Sequence, residues 1–274
     1  MKKIEEWIYL KDSWKTWNTT TIMVWVHGNE KSGIDAMNSL KNKLKITSWK
    51  VYFIYANLKA IEQNVRFTEK NLNRCFLENI SWYSYEEKRA KQIIKYLKQS
   101  DFLLDIHNTI SFNNSLEVLI TEHKEYVKYF PITKVITNID NVQKWWSDGY
   151  VDSQWWKWFC LECGSINFWD KTKSYETAKI WITNFLKLTK NIDWEPEIFD
   201  NKKELMHMDY VYRTKTNNFI FRKDFADFEF IKKWELIWID WEEKIYTTFD
   251  SIIMFARKRD KSWEETFYIW HKIS

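Results

Sequence analysis

Residues 20–30 read Thr-Thr-Ile-Met-Val-Trp-Val-His-Gly-Asn-Glu, and this stretch decides the fold. Residues 20–26 are apolar or β-branched without polar alternation, which is typical of a strand buried on both faces. The strand ends at His27 and Glu30, so an imidazole and a carboxylate follow it directly. Because functional residues of open α/β sheets gather at the carboxyl ends of the strands, we expect the site at this edge.

Strands and helices alternate over the first two thirds of the chain. Further strands are predicted at 50–56, 102–106, 134–137 and 159–162, and helices at 33–45, 85–98 and 174–188. This alternation predicts an α/β fold with a mostly parallel or mixed sheet flanked by helices. The polar stretch 191–201 is typical of a linker, and short alternating segments follow it. We therefore predict an α/β domain over residues 1–190 and a small C-terminal β-domain over residues 191–274.

Charge and composition narrow the class of partner. The 42 basic and 38 acidic side chains are spread along the chain, and no basic block suits a phosphate backbone. The chain opens on polar residues, and no apolar run approaches the roughly 20 residues that span a bilayer. The sequence predicts a cytoplasmic protein without a nucleic-acid or membrane partner. It leaves the oligomeric state open.

The composition has one anomaly, which is 19 tryptophans beside 4 glycines. A glycine content of about 7% would give roughly 19 glycines in this length. Several tryptophans lie in polar turn contexts, where glycine is favoured because it reaches positive φ without strain: Trp14, Trp17, Trp49, Trp194 and Trp263. We hypothesise that many or most of the tryptophans are glycines, encoded by UGA in an organism that reads this codon as glycine. The alternative is that the tryptophans are genuine and form an aromatic surface that binds sugar or a membrane.

Two histidines and a carboxylate indicate a metal site. His27 and Glu30 are three residues apart, and His107 is delivered by the end of a later strand. Catalytic zinc commonly takes two imidazoles and one carboxylate and keeps its fourth position for water. Asp105 lies two residues before His107 and could support it from behind, although the alternation of the strand could equally turn Asp105 elsewhere. The three residues are thus candidate ligands of one zinc ion per chain, and the alternative is that the histidines are structural and that the spacing of His27 and Glu30 arises by chance.

Further polar motifs follow in a fixed order. The segment 66–74 carries Arg66, Asn73 and Arg74, and Glu162 closes a later strand. Together with the motifs around His27 and His107, this order resembles the succinylglutamate desuccinylase/aspartoacylase family, relatives of the zinc carboxypeptidases. The resemblance covers roughly residues 20–190. It implies a zinc-dependent amidohydrolase that cleaves a small N-acyl amino acid with metal-activated water.

The resemblance also implies a role for each matching residue. Glu162 would take the proton of the water and pass it to the leaving amine, and Arg66 would stabilise the oxyanion. Asn73 and Arg74 would hold the substrate carboxylate. The chain departs from the family at Asn71, where an aspartate is usual, so a carboxylate that would pair with a nearby arginine is absent.

Four alternatives stay open on the sequence alone, two for the function and two for single residues. A carboxypeptidase-like metallopeptidase would share the same catalytic residues. A tryptophan-rich protein that binds carbohydrate or a membrane surface without catalysis would require the tryptophans to be real and exposed. Arg74 could instead form a surface ion pair, and Glu162 could be a solvated charge at a strand end.

Overall fold

The computed structural model describes residues 1–15, 18–77, 83–109, 117–142, 157–167, 171–258 and 263–273. In chain order, its strands are β1 (Lys2–Glu5), β2 (Ile8–Asp12), β3 (Thr19–Val24), β4 (Lys50–Tyr55), β5 (Phe102–Thr109), β6 (Glu117–Ile120), β7 (Lys134–Thr137), β8 (Lys157–Ser165), β9 (Glu204–Arg213), β10 (Phe219–Phe221), β11 (Glu229–Ile231), β12 (Leu236–Asp240), β13 (Glu243–Tyr246), β14 (Ser251–Met254) and β15 (Glu265–Lys272). The α-helices are α1 (Ser32–Leu40), α2 (Leu58–Gln63), α3 (Tyr85–Leu97), α4 (Ile139–Val142) and α5 (Lys171–Leu188).

Twelve of these described strands form one mixed sheet. Their order is β1-β2-β4-β3-β5-β8-β6-β7-β9-β15-β14-β11, and β10, β12 and β13 form a separate antiparallel sheet. Strands β4, β3, β5 and β8 run parallel, whereas β6 pairs antiparallel with β8. The predicted mixed α/β sheet flanked by helices is confirmed. Strand β3 is an interior strand of this sheet, paired with β4 and β5, as residues 20–26 predicted.

Both faces of β3 are covered, which explains its unbroken apolar run. Met23 lies in a buried cluster with side chains of α3, whereas Ile22 and Val24 lie in a second cluster with side chains of α1 and α5. Burying one such side chain stabilises the fold by about 1.5–3 kcal/mol relative to leaving it exposed. Successive side chains of β3 therefore point into opposite layers of helices. Their burial anchors the strand and fixes the position at which it ends.

The chain after residue 204 extends the same sheet. Strand β9 pairs in parallel with β7, and β15 and β14 follow in antiparallel pairing. The small sheet packs its apolar side chains, such as Phe219, Ile237 and Trp238, against Phe267 and Ile269 of β15. The division into units of residues 1–190 and 191–274 stays a prediction. No helix in the described parts of the chain combines the length and apolar character needed to cross a bilayer.

Tryptophan is concentrated in an unusual backbone conformation. Of the twelve non-glycine residues with positive φ in the described ranges, seven are tryptophan, with φ between 56° and 68°: Trp7, Trp14, Trp25, Trp49, Trp234, Trp241 and Trp263. The left-handed conformation costs an L-residue roughly 1–2 kcal/mol, and only glycine adopts it freely. These positions are therefore strained as tryptophan.

Candidate functional site

The predicted metal ligands come from neighbouring parallel strands. His27 and Glu30 lie in the loop between β3 and α1, and His107 lies near the end of β5, which pairs with β3. Glu162 lies in β8 directly opposite His107 in the pairing register. The carboxyl ends of three adjacent strands thus bring the motif residues to one edge of the sheet, as the sequence indicated.

His27, Glu30 and His107 form a buried cluster whose ligand atoms all lie within 4.8 Å of one another. His27 Nδ1 lies 2.8 Å from Glu30 Oε1, and His107 Nδ1 lies 3.1 Å from Glu30 Oε2. Each of the three side chains is at most 3% exposed. Two imidazole nitrogens and one carboxylate therefore converge on one buried point.

A neighbouring amide fixes the orientation of His27. Asn71 Oδ1 accepts a hydrogen bond from the backbone N–H of Asn73 at 3.0 Å, so the amide oxygen faces this region. The same oxygen lies 3.0 Å from His27 Nε2. Because an oxygen can only accept, Nε2 carries the ring proton and Nδ1 presents its lone pair to Glu30. Asn71 thus contacts a histidine, whereas the family's aspartate was expected to pair with an arginine.

His107 is oriented from its other side by Asp105, as the sequence suggested. His107 Nε2 lies 3.1 Å from Asp105 Oδ2, within ion-pair distance. Burial opposes charge on His107, but Asp105 and Glu30 outweigh it and raise the pKa of His107 well above its usual value. The point between His107 and Glu30 therefore attracts positive charge.

The electrostatics of the other two ligands fit a divalent metal ion. Burial lowers the pKa of His27 to about 4, so His27 is neutral at neutral pH, as a ligand must be. Burial disfavours the charged form of Glu30, but His27 and His107 hold its pKa well below the usual range. A buried carboxylate and the lone pair of His27 thus face the same point, and a cation there would satisfy both.

Glu162 supplies an unpaired carboxylate beside this cluster. Among the described residues, Glu162 Oε2 is buried and has no hydrogen-bond partner. Burial raises the pKa of Glu162 to about 7, and Glu30 adds to this rise while His107 and Arg66 oppose it. Glu162 is therefore poised to exchange a proton near neutral pH.

Arg66 lies at the edge of the cluster. Its Nη1 donates a hydrogen bond to Glu30 Oε1 at 3.1 Å, and its side chain is 36% exposed. The segment that follows Arg66 is held by buried Glu86 of α3, which accepts hydrogen bonds from the N–H groups of Thr68 at 2.7 Å and Lys70 at 3.2 Å. Sequence reasoning missed Glu86 because nothing in its helical context distinguishes it from a surface glutamate.

The neighbouring cavity measures about 850 Å³ and includes every predicted site residue. Asn73 is buried at its wall, and the backbone carbonyl of Asn73 accepts a hydrogen bond from Arg74 Nη1 at 3.0 Å. The structure also brings residues of the last 62 positions to this wall, among them Arg213, Arg257, Glu265 and Tyr268. The cavity thus extends from the cluster to the C-terminal strands.

Arg74 is engaged by one of these C-terminal residues. Its Nε and Nη2 donate to the two carboxylate oxygens of Glu265 at 3.0 and 2.5 Å. Glu265 also accepts hydrogen bonds from Arg213 at 3.2 Å and from the hydroxyl of Tyr268 at 2.7 Å. The ion-pair alternative for Arg74 is therefore present, and it lies in the cavity wall. No local sequence motif indicates a role for Glu265, because β15 contacts the segment around Arg74 only in the tertiary structure.

Close backbone packing keeps the ligand loop in place. A Cβ atom on Gly28 would lie 2.1 Å from the carbonyl carbon of Ala60 in α2. The N–H of Gly28 donates to the carbonyl of Arg66 at 3.3 Å. The loop that carries His27 and Glu30 is thus pressed against the segment that carries Arg66, and only glycine permits this approach.

Sequence comparison places the same motifs in a known family. The model of the succinylglutamate desuccinylase/aspartoacylase catalytic domain matches residues 17–182. A probable aspartoacylase of Nostoc sp. is 33% identical over 115 residues, which cover 38% of this chain and 39% of that protein. An N-acyl-aromatic-L-amino acid amidohydrolase (carboxylate-forming) of Xenopus laevis is 37% identical over 98 residues, 31% of this chain and 32% of that protein. The chain thus aligns with less than half the length of these curated relatives.

Solved structures agree with the fold over nearly the whole chain. Succinylglutamate desuccinylase of Vibrio parahaemolyticus superposes with a TM-score of 0.79 at 16% identity, covering 97% of this chain and 86% of that one. The enzyme of the same name from Chromobacterium violaceum gives a TM-score of 0.77 at 15% identity, covering 99% and 90%. Since the matching domain spans more than half of its residues, the chain belongs to the succinylglutamate desuccinylase/aspartoacylase family.

Proposed function

We propose that this protein is a zinc-dependent amidohydrolase that cleaves an N-acyl amino acid into a carboxylate and an amine. The observation that carries the proposal is the adjacency of a carboxylate with a raised pKa, Glu162, to the buried cluster of His27, Glu30 and His107 at one end of a cavity. A proton shuttle beside a metal-binding donor set is the arrangement that metal-assisted hydrolysis needs.

The donor set favours zinc over other divalent ions. Two imidazole nitrogens and one carboxylate, with the cavity on the open side, are the ligands of hydrolytic zinc sites. The chemistry that zinc supplies in such a set is Lewis-acid polarisation of a carbonyl group and acidification of water. Asn71 and Asp105 hold the two imidazoles so that their Nδ1 atoms face inward.

The side chains around the cluster have distinct roles in this proposal. Glu162 accepts a proton from the attacking water and returns it to the leaving nitrogen. Arg66 is next to Glu30 and half-exposed to the cavity, so its guanidinium stabilises the oxyanion as charge develops on the scissile carbonyl. Asn73 and Arg74 bind the carboxylate of the substrate, and Glu265 holds the guanidinium of Arg74 in position.

We expect kcat/KM to depend on the ionisation of Glu162. Its pKa is raised to about 7, and the ionised form is the one that accepts a proton. Activity should therefore be full above pH 7 and fall about tenfold per unit as the pH drops below it. A pH–rate profile between pH 5 and 9 measures this fall. A flat profile down to pH 5 would exclude Glu162 as the base.

A substrate panel with metal analysis tests the proposed function. The panel contains N-acetyl derivatives of acidic, aromatic and aliphatic amino acids, because the relatives are named for both acidic and aromatic substrates. We expect about one zinc per chain and release of the free amino acid from at least one member. Cleavage of C-terminal residues from unblocked peptides instead would favour the metallopeptidase alternative. Retention on polysaccharide or lipid vesicles, without zinc or hydrolysis, would favour the binding protein.

A further inference from the structure

The two histidines of the cluster are supported by different groups. His107 faces the carboxylate of Asp105 at 3.1 Å, whereas His27 faces the amide oxygen of Asn71 at 3.0 Å. The amide is itself fixed by the N–H of Asn73 and caps the short 3₁₀ turn Leu72–Arg74. Asn71 is therefore rigidly placed against one ligand of the centre.

A carboxylate and an amide do not act alike at such a position. A carboxylate that accepts the second ring proton raises the basicity of the imidazole and tightens metal binding, whereas a neutral amide orients the ring without adding charge. We propose, on the basis of the proposed function, that Asn71 is a positioning residue that fixes the tautomer of His27 and leaves the metal less tightly held than a carboxylate would. The centre thus combines one charged and one neutral support.

Zinc affinity tests the role of Asn71 without relying on activity. Zinc dissociation constants of wild type, Asn71→Asp and Asn71→Ala would be measured by competition with a chromophoric chelator. We expect Asn71→Asp to bind zinc about tenfold more tightly and Asn71→Ala about tenfold more weakly. Asn218→Asp is the matched control, because it adds the same charge at an exposed residue that does not line the cavity.

The outcomes separate this proposal from the proposed function. Zinc affinities of Asn71→Asp and wild type that agree within twofold would overturn the role of Asn71 and leave the proposed function standing. The expected changes in a protein that hydrolyses no member of the panel would support the role of Asn71 and overturn the proposed function. Thermal unfolding of the metal-free variants reports whether each of them is folded. If Asn71→Ala does not fold, the zinc affinities of Asn71→Asp and wild type can still be compared.

An independent observation concerns the identity of the tryptophans. Besides the seven at positive φ, four are fully buried with an indole N–H that has no partner among the described residues: Trp158, Trp181, Trp238 and Trp270. The two groups make up eleven of the twelve tryptophans that the structure describes, and Trp194 is the other. Buried tryptophans usually pair their N–H, and bulky residues rarely adopt positive φ.

Both anomalies disappear if the residue is glycine. Glycine adopts positive φ without strain and has no side-chain donor to satisfy. The sequence has only 4 glycines, whereas roughly 19 are expected for its length, and it has 19 tryptophans. The shortage of glycine is therefore similar in size to the excess of tryptophan. We propose that the native residue at these eleven positions is glycine, encoded by UGA codons that a translation table reading UGA as tryptophan misassigns.

The exchange would change the surroundings of the active site. Trp25 lies two residues before His27, and its ring packs 6.2 Å from that of Tyr55. Trp263 lines the cavity and is 74% exposed. Glycine at position 263 removes a bulky side chain from the cavity lining, so we expect the native protein to accept larger substrates than the tryptophan-containing protein does.

The codons and the stability of recoded proteins test the glycine assignment. We expect UGA at the eleven positions in the gene, and UGG there would overturn the proposal. Two variants would be compared with the tryptophan-containing protein. One variant has glycine at the seven positive-φ positions, and the other has alanine there. Alanine removes the same bulk but cannot adopt positive φ freely, so it is the matched control. We expect glycine to raise the unfolding temperature by roughly 10 °C and to exceed alanine. A glycine variant no more stable than the alanine one would also overturn the assignment.

Discussion

In His107→Ala, we expect the zinc content to fall from about one ion per chain to near zero and hydrolysis to be lost with it. His107 Nδ1 lies 3.1 Å from Glu30 Oε2, and both atoms face the proposed metal position. Removal of the imidazole therefore leaves two of the three proposed ligands. Two protein ligands are fewer than any catalytic zinc site normally uses. Metal analysis of the purified protein and an assay on the best substrate of the panel measure both effects.

His207→Ala is the matched control for this change. His207 lies in β9, where its ring packs 5.1 Å from that of His271, and it does not line the cavity. Its replacement removes an imidazole of the same size and should leave zinc content and activity at the wild-type level. Full zinc occupancy in His107→Ala would show that the metal is held elsewhere and would refute the assignment of all three ligands.

In Glu162→Gln, we expect kcat to fall by about 10²–10⁴ while zinc stays bound. Glutamine keeps the shape of the side chain but cannot accept a proton, and Glu162 is not among the three predicted metal ligands. KM should change little, because the loss concerns proton transfer rather than binding. Steady-state kinetics with metal analysis of the same sample separates this effect from metal loss.

The pH profile gives a second readout for Glu162. The fall in activity below pH 7 should disappear in Glu162→Gln, because the group that titrates there is gone. Glu243→Gln, at an exposed position of β13, should keep the wild-type rate and profile. A Glu162→Gln enzyme with wild-type kcat would mean that another group takes the proton of the water.

The ligand cluster could be predicted from the sequence because its members end buried strands. Residues 20–26 are apolar or β-branched and residues 102–106 are apolar apart from Asp105, so both segments are recognisable as buried strands. Their pairing in the sheet brings His27 and His107 together. Glu162 follows the same rule through β8. Strand ends are local features, and their proximity follows from parallel topology without knowledge of the packing.

The substrate side of the cavity could not be predicted in this way. Glu265 meets Arg74 across 191 positions of the chain, and this contact depends on β15 joining the sheet through β9. The hairpin of β1 and β2 was also missed, because its residues are mostly half-exposed and carry no buried run. The helix predicted over 33–45 ends at Leu40, whose carbonyl accepts hydrogen bonds from both Lys43 and Leu44 and so closes the last turn.

The position of β8 has a consequence for how the chain folds. Strand β8 is inserted between β5 and β6, although it follows both in sequence, so β5 has one unpaired edge until residues 157–165 have been synthesised. Such late, long-range pairing is slow, and an open edge invites misassembly. His27, Glu30 and His107, the three proposed metal ligands, precede this point on the nascent chain, whereas Glu162 lies within β8. The donor set of the proposed metal site is therefore synthesised before the proposed base, so the last part of the proposed catalytic centre to join the sheet is Glu162.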